Sequence, residues 1–154
     1  MKTGGEMDRI EQNVAVLKRL REMLARQREK FGAYLRLLEC ESDSIEKGDS
    51  EKLLAQVEME QSIIAEIFSL KKVIAPLEAL YQAAYPSGSE ASIPRLKSAL
   101  ETMSSEILAH NARNRQRLRE RMEDMRREIA SLRGWPRTAS PFAEVRPGLI
   151  DITT

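Results

Sequence analysis

Between Ser92 and Arg133 the apolar residues fall at steps of three or four: Leu96, Leu100, Met103, Ile107, and later Leu118, Met122, Met125, Ile129, Leu132. That step places them on one face of a single long helix, and a helix with one apolar stripe must bury it against something. Midway the stripe changes character. Positions 111 and 114 keep the spacing, but both are Asn. Seven arginines against three acids crowd residues 113–127 just beyond them.

The remainder of the chain speaks the same language. Ile10, Leu17, Leu24, Phe31, Leu38 and Ile45 recur every seven residues. The second seam position holds Val14 and Leu35, but also Arg21, Arg28 and Ser42, so the seam is too impure for a two-stranded zipper. Leu20, Met23, Tyr34 and Leu37 widen the face, which suits a helix packed on two others. Gly48 ends this helix, since glycine accepts the left-handed conformation, and Asp49 or Ser50 caps the next. So short a link makes the two helices antiparallel neighbours. The second stripe is Leu53, Val57, Ile64, Ile67/Phe68, Ile74, Leu77, Leu80/Tyr81 and Ala84, with a kink predicted at Pro76. Tyr85-Pro-Ser-Gly-Ser-Glu-Ala-Ser92 is a loop. Pro94 is harmless in the first turn of helix three, which Gly134 ends with Trp135 folding back on it.

The predicted fold is therefore all-α: an elongated antiparallel bundle of three long, coiled-coil-like helices at about 6–47, 50–84 and 92–133. The bundle spans 1–135, and a Pro-containing flexible tail spans 136–154. Aromatics at 5% and charged residues at 32% fit long helices. No stretch approaches the ~20 apolar residues of a membrane span, and the N-terminus lacks the apolar core of a secretory signal. A single cysteine, Cys40, excludes a disulfide framework and reads as a small packing residue. A cytoplasmic location is expected.

Catalysis finds no footing. The one histidine, His110, stands at the edge of a helix stripe, and none of the common nucleophile, metal or phosphate motifs occurs. No catalytic residue, cofactor, metal or small-molecule substrate is expected. The arginine cluster has two readings: a phosphate-tracking face, or a solvated side laced with pairs such as Arg117–Glu120, Arg119–Glu123 and Asp124–Arg127. Its interleaved acids and the lack of stacking aromatics disfavour nucleic acid. Residues 39–66 carry nine acids against two lysines, so an acidic end is expected around the first turn. The two asparagines either fix helix register from a buried position, or mark where the stripe leaves the core and becomes a partner surface. Met122 and Met125 are either core or an adaptable contact surface, because thioethers re-pack readily.

The order of these features resembles the FlgN-type flagellar export chaperone family. The resemblance lies in an acidic hairpin turning at Gly48-Asp49, then a leucine-spaced helix, then Asn111-Ala-Arg-Asn114 ahead of a long amphipathic segment. It covers residues 8–133. The chain departs from the family in having Gln61 where a lysine is frequent, and in its Pro-rich ending. The resemblance implies a chaperone that holds the C-terminal helices of hook-filament junction proteins and delivers them to the type III export apparatus. It implies Met122, Met125, Ile129 and Leu132 as client contacts. Leu149, Ile150 and Ile152 form a separate candidate, a short motif docking on a partner or covering the empty groove. The alternative is a structural coiled-coil adaptor or scaffold that self-associates through the helix-one heptads.

Overall fold

The computed structural model describes residues 3–88 and 92–133, and these form three helices: α1 Thr3–Lys47, α2 Ser50–Ala84 and α3 Ser92–Arg133. α1 starts three residues ahead of the expected Glu6, running through Gly4 and Gly5. Its end is set by Gly48 at φ 69°, with the amides of Gly48 and Asp49 bonded back to the carbonyls of Ile45 (3.2 Å) and Ser44 (3.0 Å). This double closure satisfies carbonyls that the helix end would otherwise orphan. Asp49 then caps α2, accepting the Lys52 amide at 3.1 Å. α2 runs without interruption through the exposed Pro76.

α1 is the shared partner of the other two helices. Tyr34 meets Glu60 and Lys30 pairs with Glu66, so α2 descends antiparallel to α1. Asn111 meets Tyr34, Asn114 meets Leu38 and Arg117 meets Ser42, so α3 ascends parallel to α1. No α-carbon of α2 comes within 8 Å of one of α3. α1 is thus the helix packed on two others, as its widened face predicts, and the backbone of α3 docks on α1 alone. Contact with α2 is made by side chains, such as the Lys97–Glu78 ion pair at 3.2 Å.

The core is stacked in layers along α1. One layer joins Leu20, Met23 and Leu24 to Ile74 of α2 and to Ile93 and Leu100 of α3. The next joins Tyr34 and Leu38 to Ile67 and Ile107. Leu20, Met23, Tyr34 and Leu37, the residues expected to widen the α1 face, are all buried. Other positions on the predicted stripes are not. Ile10 and Val14 near the start of α1 are exposed, and so are Phe68 and Leu80 on α2. Cys40 is exposed as well, so it is no packing residue.

Candidate functional site

Above the second apolar layer the core turns polar. The Tyr34 hydroxyl donates to Glu60 Oε1 at 2.5 Å and accepts from Asn111 Nδ2 at 3.1 Å. One turn further on, Asn114 is buried and donates to the Leu38 carbonyl at 2.9 Å. That carbonyl is already inside α1, so Asn114 uses its second lone pair. The buried Glu41 completes the layer, with one carboxyl oxygen, Oε1, lacking a hydrogen-bond partner. Burial first, then the neighbouring Glu60 carboxylate, push the Glu41 carboxyl up to about 8, with Asn114 acting in the opposite direction. Burial likewise raises the Tyr34 hydroxyl above its ordinary value; Glu60 adds to this and Asn111 opposes it. All three helices contribute to the layer, and a one-residue slip of any of them breaks it.

Both asparagines thus bond to α1, Asn114 buried and Asn111 half-buried, in the manner expected of residues that fix helix register. Asn114→Ala leaves the Leu38 carbonyl with its place in α1, so the expected cost is that of one lost bond, about 1–2 kcal/mol. Urea unfolding measures it; an unchanged midpoint would deny the bond any net value.

Beyond Asn114 the arginines meet the acidic turn. Arg117 donates to the Ser42 hydroxyl instead of pairing with Glu120. The Arg121 guanidinium lies beside Gly48, and both arginines line a cleft with Ile45, Glu46, Glu120 and Asp124. The acidic end and the basic segment thus share one end of the molecule. Farther out, Arg127 lies 3.7 Å from Glu123 and 4.0 Å from Asp124. Within 113–127 seven arginines stand against three acids, and Arg127 is paired with two of those acids.

There α1 ends and α3 continues. Among the described residues nothing accompanies it from about residue 122, a run of about a dozen residues, ~18 Å. Met122, Met125, Ile129 and Leu132 are 38%, 52%, 49% and 85% exposed, on a continuation of the stripe that packs on α1 lower down. Leu118, at the exit from the bundle, is also exposed. The bundle ends one to two turns later than a boundary at the asparagines would give. Leu149, Ile150 and Ile152, like Gly134 and Trp135, lie outside the described residues. Sequence reasoning missed Tyr34, Glu41 and Glu60 as partners of the asparagines. The available signal was Glu60 standing on the apolar stripe of helix two between Val57 and Ile64.

A protein of Treponema pallidum (strain Nichols), itself uncharacterised, is 34% identical to this chain over 128 residues, covering 82% of the chain and 80% of its own length. No family model and no solved structure matches.

Proposed function

This chain belongs to one family with that Treponema pallidum protein, and we propose that it acts as a FlgN-type flagellar export chaperone in the cytoplasm. It would hold the C-terminal helices of hook-filament junction proteins and pass them to the type III export apparatus. The observation that carries this reading is the free end of α3. A helix whose apolar stripe runs on past its own bundle offers a second helix the contacts it makes with α1 below, at i, i+3, i+4 and i+7. Met122 and Met125 make that surface adaptable, and the flanking arginines favour a client helix with acidic edges. Among the described residues no helix is long and apolar enough to cross a membrane.

The alternative, a coiled-coil adaptor joined through the α1 heptads, has less support. From Leu17 onward those positions are turned into the bundle, and Ile10 alone of the six is exposed.

The test mixes the purified chain with the C-terminal helical segment of a junction protein from the same genome. A soluble complex is expected, and Met125→Asp with Ile129→Asp should weaken it at least about tenfold, the effect of placing charge in an apolar contact. Both residues are exposed, so helicity and melting should hold. Unaltered binding by the double variant would remove this groove, and absence of any complex would remove the function.

A further inference from the structure

From Ile63 to Ala84, α2 carries only Glu66, Lys71, Lys72 and Glu78 as charged residues. A helix this apolar on all sides belongs inside an assembly. Yet α1 covers one face only, and α3 reaches α2 through side chains such as Lys97, with no α-carbon of one within 8 Å of the other. The outer face shows Leu54, Ala65, Phe68, Val73, Pro76 and Leu80 to solvent.

Charge decides what fits there. Glu66 and Glu78 are already engaged by Lys30 and Lys97 of the same chain. Glu58 and Lys72, both exposed, have no ionic partner among the described residues. They share one outer stripe at three- and four-residue steps: Leu54, Glu58, Gln61, Ala65, Phe68, Lys72, Pro76. Ala65 stands midway between the acid and the base, and midway between Leu54 and Pro76. When this stripe is laid against itself antiparallel about Ala65, each Glu58 faces the other copy's Lys72 and each Leu54 faces a Pro76. A parallel alignment sets like charge against like. The pattern is complementary to its own reverse, the requirement of a two-fold interface. The small side chain at the crossing allows helix axes to approach to ~8–10 Å.

We propose that the outer face of α2 is a homodimer interface, in which two copies pack α2 against α2, antiparallel about Ala65, with Glu58 of each facing Lys72 of the other. The two α1–α2 turns then lie at opposite ends of the pair. Both free α3 ends project away from the contact, so dimerisation and the chaperone surface are separate.

Sedimentation equilibrium of the full chain tests this, with circular dichroism on every variant. A concentration-dependent dimer is expected. Lys72→Glu and Glu58→Lys should each weaken it at least about tenfold, because each substitution sets like charges together twice per dimer. The double variant E58K/K72E should restore it. Phe68→Asp should yield a folded monomer that binds the junction-protein segment as the parent does. A monomer at all concentrations overturns the proposal. So does a dimer indifferent to the single reversals, or reversals that the double variant fails to rescue. A dimer that survives Phe68→Asp but is lost with Met125→Asp and Ile129→Asp also overturns it, by moving the contact to α3.

Discussion

Leu24→Ala is expected to lower stability by roughly 2–5 kcal/mol, the range for emptying a leucine site in a packed core. Leu24 is 2% exposed and sits in an apolar layer to which all three helices bring buried residues, with Ile74 from α2 and Ile93 and Leu100 from α3. Relaxation is limited because the neighbours are anchored on three separate backbones. Single domains are stable by only ~5–15 kcal/mol, so this one truncation removes a large part of the total. Chemical denaturation of Leu24→Ala beside Leu54→Ala gives the comparison. Leu54 is exposed on α2, and its truncation should fall within about 0.5 kcal/mol of the parent. Equal effects from the two would mean that this layer is not the core.

A second large effect is a dependence on pH opposite in sign to that of most acidic groups. Glu41 is held at about 8 in the folded chain against 4.5 for a free carboxyl, so between those values the folded state binds the proton that the unfolded state has released. Stability from this group is complete below 4.5, declines as pH rises, and is gone above about 8. The slope for one proton cannot exceed about 1.4 kcal/mol per pH unit. The cause is local: two carboxyl groups, Glu41 and Glu60, share a layer whose other members are Tyr34 and the asparagines, with no cation bonded to either acid. Glu41→Gln fixes the neutral form and keeps the shape. Its denaturation midpoint should vary less with pH than the parent's and exceed it at pH 9. If parent and variant lose stability in parallel as pH rises, Glu41 is not the group responsible.

The helices were legible because their periodicity and punctuation agree. Gly48 and Asp49 perform the termination and capping their chemistry suggests, and the stripes at Leu20–Leu38 and Leu100–Ile107 are the buried ones. Helix lengths and offsets were not legible, and they account for the misplacements. Ile10 and Val14 keep perfect spacing yet are exposed near the start of α1. Phe68 and Leu80 sit on a helix with apolar residues on both sides, where periodicity cannot say which side faces inward. The asparagines stood out as polar residues on an apolar stripe. Their partners did not, because Tyr34 reads as an ordinary core aromatic and a lone Glu on a helix reads as surface.

The side-by-side run of α3 along α1 also has a bearing on the order in which the chain assembles. Bringing α2 onto α1 closes a turn of two residues, whereas every polar bond α3 makes to α1 joins positions 75 to 77 apart. The entropic cost of closure rises with that separation, which favours formation of the hairpin ahead of the docking of α3. Until then Leu20, Leu24 and Leu38 line an open trough between two helices, shaped for an amphipathic third. The first helix this hairpin receives is therefore its own. In taking it up, the hairpin uses the lower half of a stripe whose upper half stays available to another chain.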